Sequence, residues 1–126
     1  MTTAPQTRST PRWQTYAVYA VMALLTLGFL FFGGMKLAGA QMNVDNFTRW
    51  GYPIWFMYLT GLIEVVGAVL LWPQRTRLIG ALLLVATMLG AIATHLVNGE
   101  AAFIAMPVVL LLLAAFVAWS NRPQRA

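Results

Sequence analysis

The sequence has no cysteine, a single histidine (His95) and only three acidic residues among its 126. Without thiols there can be no cysteine nucleophile, disulfide, iron–sulfur cluster or covalently attached c-type haem. One histidine excludes bis-histidine haem and a histidine-rich metal site within one chain, so no metal is expected. Charge is scarce as well: Lys, Arg, Asp and Glu make up 9% of the chain against 60% hydrophobic residues, and the mean hydropathy is +0.74. So few charged side chains cannot cover that much apolar surface in water, so lipid is the expected solvent for most of the chain. A spanning helix takes ~20 residues, so four spans account for most of the length and leave short loops. The expected class is all-α, a polytopic membrane protein built as one four-helix transmembrane bundle.

Long apolar runs dominate what is present. They cover 16–35, 53–72, 78–97 and 103–119, in a single domain over 15–119 between a polar tail at 1–14 and a basic tail at 120–126. The first run follows Arg8 and Arg12 and precedes Ala38-Gly39-Ala40, as a signal peptide would, but signal cores span roughly 7 to 15 residues and this run is longer and ends in Lys36. It reads as a span. The net charge of +5 is spread over short segments between the runs, which is a topology signal and predicts no nucleic-acid partner. With both termini cytoplasmic, Arg8, Arg12, Arg75, Arg77, Arg122 and Arg125 lie inside, and Lys36, Arg49, Asp45 and Glu100 lie outside. The tryptophans agree, with Trp13, Trp72 and Trp119 at the inner level and Trp50 and Trp55 at the outer one. The expected location is a bacterial-type cytoplasmic (inner) membrane, crossed several times.

Between the first two runs, Val44, Phe47 and Trp50 recur every third residue while Asp45, Asn46, Thr48 and Arg49 point elsewhere. The spacing predicts a short interfacial helix over about 43–51, capped by Asn43 and ended by Gly51 in a left-handed conformation, with Pro53 opening the next span. An irregular loop with scattered aromatics is the alternative.

Any chemistry must come from polar residues that a bilayer penalises. Glu64 stands near the middle of the second run, where an ionised carboxylate costs on the order of 3 kcal/mol, and must face protein or water. Thr60, Gly61, Gly67 and Ala68, three or four residues to either side, form a small-residue stripe that admits another helix. Matching stripes are Thr26, Phe29, Gly33 and Lys36 in the first run, and Gly80, Leu84, Thr87, Ala91, His95 and Asn98 in the third. Thr26, Glu64 and Thr87 each fall roughly 12 to 15 Å from the inner boundary, with Lys36 and His95 near the outer one. The expectation is an outward-facing polar seam with Glu64 as its floor, Thr26 and Thr87 as its hydrogen-bond partners, and Lys36, Glu64 and His95 as the ligand-binding or proton-handling residues, supported by Asn98. Each has a plainer reading: Glu64 as a hydrogen-bonded crosslink between helices, Lys36 snorkelling to headgroups, His95 as an interfacial residue. Asp45, Arg49 and Glu100 are expected to be solvated loop charges, and Pro107 to kink the fourth run.

The order Gly33-Gly34-Met35-Lys36-Leu37, Gly51-Tyr52-Pro53, Gly61-Leu62-Ile63-Glu64-Val65-Val66-Gly67 and Ala93-Thr94-His95 resembles the DoxX-like family of small four-helix membrane proteins, over about 17–118. That family is named after a subunit of a thiosulfate:quinone oxidoreductase, and the resemblance implies that Gly33, Lys36, Glu64 and Gly67 carry whatever role it has. The chain is therefore expected to be a non-catalytic membrane subunit of a redox-linked, quinone-associated system. It holds no cofactor of its own, with quinone the candidate ligand and a redox-enzyme subunit or a homo-oligomer the candidate partner besides the bilayer. The alternatives are a scaffolding membrane protein that recruits peripheral enzymes through its basic inner face, and a small transporter.

Overall fold

The computed structural model describes residues 11–123, and every regular element among them is helical. Arg8, Arg125 and the outer parts of both expected tails lie outside the described residues. The helices are α1 (Arg12–Leu37), α2 (Gln41–Trp50), α3 (Ile54–Leu70), α4 (Arg77–Val97) and α5 (Ala105–Ser120), with a 3-10 turn at Ala101–Phe103 before α5. Arg12, Trp13 and Gln14, expected in the tail, form the first turn of α1.

The interior follows the helical period. Val18, Met22, Leu25, Phe29 and Gly33 lie on one face of α1 at spacings of three and four, and Gly80, Ala81, Leu84 and Met88 do the same on α4. With Ala68 and Leu71, and with Leu110, Ala114 and Val117 of α5, they close one core. α1 packs on α3 and α5, α4 packs on the same two helices, and α2 lies across α3 and α1 at the end where α1 stops.

The outside of this ring is as apolar as the inside. Leu27 and Phe31 of α1, Leu62 and Val69 of α3, Leu82 and Leu89 of α4, and Val109 and Leu112 of α5 are all exposed. In water such a surface would aggregate; against acyl chains it costs nothing. α1 and α4 are each long and apolar enough to cross a membrane, α2 and α3 qualify as a pair bent by 119°, and α5 is a shorter apolar helix of 16 residues.

Two local expectations are overturned. α2 begins at Gln41 after Ala40, with no side-chain cap, so Asn43 lies inside the first turn and does not cap it. Gly51 does end α2 with φ +82°, a left-handed conformation that glycine adopts without a Cβ clash. Pro107 does not kink a span: α5 starts only at Ala105, so Pro107 stands in the first turn, where its missing N–H is not needed.

Arg77, 8% exposed, folds back over the carboxyl end of α3. Its Nε donates to the Leu71 carbonyl (2.8 Å) and its Nη2 to that of Trp72 (3.0 Å), while Thr76 Oγ1 donates to Leu70 O (2.8 Å). Three carbonyls at the end of a helix are satisfied by the turn that follows it.

Candidate functional site

Four glycines set the site. A Cβ on Gly61 would meet Gly33 O and Lys36 Cβ, each at 2.8 Å, and a Cβ on Gly33 would meet Gly61 O at 2.9 Å and Glu64 Cβ at 3.1 Å. Antiparallel α1 and α3 therefore touch backbone to backbone, and each glycine packs beneath the charged residue three positions along the other helix. That contact brings Lys36 Nζ to 3.2 Å from Glu64 Oε1 and 3.3 Å from Oε2. The Glu64 side chain is 2% exposed and that of Lys36 16%, so the pair is inside the protein with the lysine nearer the opening. On the other face of α3, Gly67 meets Gly80 and Leu84 of α4 just as closely.

A cavity of about 880 Å³ lies beside the ion pair, lined mainly by apolar side chains of all five helices. Lys36, Glu64, Thr87 and His95 all line it, so the structure brings these four candidates to one space. Its walls include exposed Leu59, Gly90 and Ala93, which open it sideways past α3 and α4. The size matches small-molecule sites, roughly 300–1,000 Å³, as does the mix of apolar walls with a few polar groups.

Thr26 and Asn98 do not line it. Thr26 Oγ1 donates to Met22 O (2.7 Å) and accepts from Trp72 Nε1 (2.9 Å). The expected bond to Glu64 fails because Glu64 packs at the level of Gly33, which leaves Thr26 about two turns too far along α1. Thr87 has the right depth, but its hydroxyl donates to Leu84 O (2.9 Å) in its own helix. Asn98 Nδ2 likewise turns back to Thr94 O (2.8 Å). The partner of Glu64 is Lys36.

Glu100, expected as a solvated loop charge, instead ties together Trp50 and His95, which line the top of the cavity. Its Oε1 accepts from Trp50 Nε1 (2.8 Å) and from His95 Nδ1 (3.1 Å), and its Oε2 from Arg49 Nη2 (2.7 Å). A carboxylate can only accept, so His95 carries its proton on Nδ1 and leaves Nε2 for another partner. The signal in the sequence was Gly99. Its φ of +70° turns the chain so that the Glu100 N–H returns to His95 O (2.7 Å), bringing the carboxylate back to the imidazole. Trp50 stands edge-on to His95 with centroids 5.4 Å apart, Phe47 packs against Trp50, and Tyr52 Oη lies 2.9 Å from Thr94 Oγ1. An aromatic roof on α2 is thus tied to α4 through one carboxylate.

The hydrogen bond from Trp50 holds the Glu100 carboxyl below its ordinary value of 4.5, with His95 and Arg49 adding to the effect and partial desolvation opposing it. A lowered folded value means that the tether stabilises the fold above the ordinary value and is lost as the pH falls through the lowered one. Amide protection across 41–50, measured relative to intrinsic exchange at each pH, is expected to stay flat from neutral pH down to about 4.5 and to fall below it. In Glu100→Gln protection should be lower than in the wild type above about pH 4.5 and converge on it at lower pH, where the wild-type carboxyl is protonated; a wild-type profile in that variant would show that the tether does not hold α2.

No solved structure matches the chain. A protein of Bacillus subtilis (strain 168), named uncharacterized protein YdgD, is 30% identical over 54% of this chain and 64% of its own length, so the chain spans under two thirds of that curated relative. The model of the DoxX-like family matches residues 20–117, which take in α2, α3 and α4 entire and most of α1 and α5. That match contains the ion pair, its glycine contacts and the cavity, and the chain belongs to the DoxX-like family.

Proposed function

We propose that this DoxX-like protein is a non-catalytic membrane subunit of a redox-linked system, and that its cavity receives the headgroup of a quinone. The observation that carries the reading is the Lys36–Glu64 ion pair at the floor of an apolar, sideways-open cavity whose roof holds His95. A flat, lipid-soluble ring with two carbonyls asks for this: apolar walls, a donor at each end and an entrance from the bilayer. The Lys36 ammonium has protons beyond those it shares with Glu64, and His95 Nε2 has no partner among the described residues. Glu64 can take up or release a proton beside them. The chain has no thiol, and no three His, Asp or Glu side chains come together among the described residues; on this reading its residues bind, orient and move protons, while a bound quinone supplies the electron chemistry.

The same reading places α1, α3, α4 and α5 as four spans, with both termini on the cytoplasmic side of a bacterial inner membrane. Arg12, Arg75, Arg77 and Arg122 gather at one end of the ring and Asp45 and Glu100 at the other, which supports that orientation. A cysteine at exposed Thr48 is expected to react with an impermeant maleimide on intact cells and one at exposed Arg75 not to; the reverse result would invert the topology.

Purified protein in lipid nanodiscs is expected to bind a short-chain ubiquinone or menaquinone analogue. Lys36→Ala, Glu64→Gln and His95→Ala should each weaken binding roughly tenfold, the worth of one charge-assisted hydrogen bond. No binding by the wild type, or affinity unchanged from the wild type in all three variants, would remove the quinone reading and leave a scaffolding membrane protein in its place.

A further inference from the structure

We propose that the arginine-bearing end of the ring holds a phosphate group in a second cavity, between the first turns of α1, the α3–α4 turn and the end of α5, with Arg77, Arg122 and Ser120 as its ligands. This site lies at the opposite end of the molecule from the ion pair and is independent of the quinone reading.

The cavity measures about 460 Å³, and Gln14, Tyr19, Gln74, Arg77, Ser120 and Arg122 line it. Arg77 is built in: two of its nitrogens are fixed on the Leu71 and Trp72 carbonyls and its guanidinium sits over the Tyr19 ring at 5.4 Å. Arg122 is exposed but anchored at the rim, with Nη1 on the Trp119 carbonyl (2.8 Å) and the guanidinium 4.6 Å over the Trp119 ring. Both cations are thus positioned without a counter-charge among the described residues. The chain has three side-chain carboxylates, and all are elsewhere: Asp45 in α2, Glu64 on Lys36, Glu100 on Arg49 and His95. Ser120 Oγ is buried in the wall with no hydrogen-bond partner, which is costly unless something it can bond to enters the cavity.

Two guanidinium groups, a hydroxyl without a partner and two side-chain amides form a donor set for the oxygens of a phosphate. A basic pocket between helices at a membrane surface is where an anionic phospholipid headgroup binds. The same oxygens are offered by free phosphate, and the experiment separates the two.

The full-length protein in detergent is titrated with phosphatidylglycerol and with phosphatidylcholine under native mass spectrometry. Wild type is compared with Arg122→Gln, Ser120→Ala and Arg75→Gln. Arg77 is left intact because it also closes the end of α3. Arg75 is exposed, carries the same charge at the same end and does not line the cavity, so it reports the diffuse attraction alone. Phosphatidylglycerol is expected to bind more tightly than phosphatidylcholine. Arg122→Gln should weaken it roughly tenfold or more, as the loss of a charge-assisted contact, and Arg75→Gln no more than about fivefold, the worth of one cation near an anionic surface. Ser120→Ala should weaken it without changing net charge. Competition by inorganic phosphate would make the soluble anion the ligand of the same site, and absence of competition makes it the lipid. Equal binding of the two lipids by wild type, or equal losses in Arg75→Gln and Arg122→Gln, would overturn the proposal.

Discussion

Replacing Gly80 by alanine is expected to lower the stability of the detergent-solubilised protein by about 1–3 kcal/mol, the usual cost of overpacking. The added Cβ would sit 2.6 Å from Gly67 O, 2.9 Å from Leu71 N and 3.0 Å from Leu70 C. All three are backbone atoms, and the last two belong to the end of α3 that Arg77 and Thr76 fix. No side chain can rotate out of the way, so α3 and α4 must separate, and Gly67 and Leu84 lose their contact as well. Gly34→Ala is the control. Nothing lies within 4 Å of its Cβ position, and removing a glycine from a helix interior should stabilise by about 0.5–1 kcal/mol. Thermal unfolding midpoints of the two variants should move in opposite directions; a shared direction would mean that the backbone contact does not set the α3–α4 spacing.

The second large effect is expected at the ion pair. Lys36→Met leaves a buried carboxylate without its partner, and breaking such a pair from one side costs about 3–5 kcal/mol. Glu64→Leu should cost less, because the lysine that remains is the more exposed member and can turn its ammonium toward the opening. Combining the two replaces the pair by apolar side chains of similar volume and should recover most of the loss. If the double variant is as unstable as Lys36→Met alone, the glycine contact and not the pair holds α1 to α3. The cycle also bears on function, since a double variant that is stable yet fails to bind quinone assigns the pair to the site.

The membrane character and the identity of the polar residues were legible because lipid makes polar groups rare. Glu64 is conspicuous in an apolar run, and the small residues three positions to either side of it announce close helix contacts. Its partner was not legible. Depth along a helix can be counted from the sequence, but the antiparallel register of α1 against α3 is set by Gly33 meeting Gly61, and that register favours Lys36 over Thr26. Glu100 was misread for a related reason. A carboxylate in a short turn looks solvated until the left-handed Gly99 returns it to His95 and the α2 roof arrives from some fifty residues away in the chain. Pro107 shows the cost of reading hydropathy alone: the apolar run begins before the helix does, so a proline that looked internal stands in a first turn.

The helices of the ring differ in length, and in a bilayer that difference has mechanical meaning. At 1.5 Å per residue, α1 is about 39 Å long, α4 about 32 Å, α3 about 26 Å and α5 about 24 Å, and long and short helices alternate around the ring. A hydrocarbon layer of about 30 Å is overshot by α1 and undershot by α3 and α5. The surplus of α1 emerges as the amphipathic turns that carry Arg12, Trp13 and Gln14. On the proposed four-span topology the shortfall of α3 and α5 would be met by drawing the two lipid leaflets together beside them, which is the ordinary response to hydrophobic mismatch. Glu64 lies only six residues from the end of α3, so on that topology the carboxylate would reside where the membrane around this protein is thinnest and where headgroups and water would come closest to the protein interior.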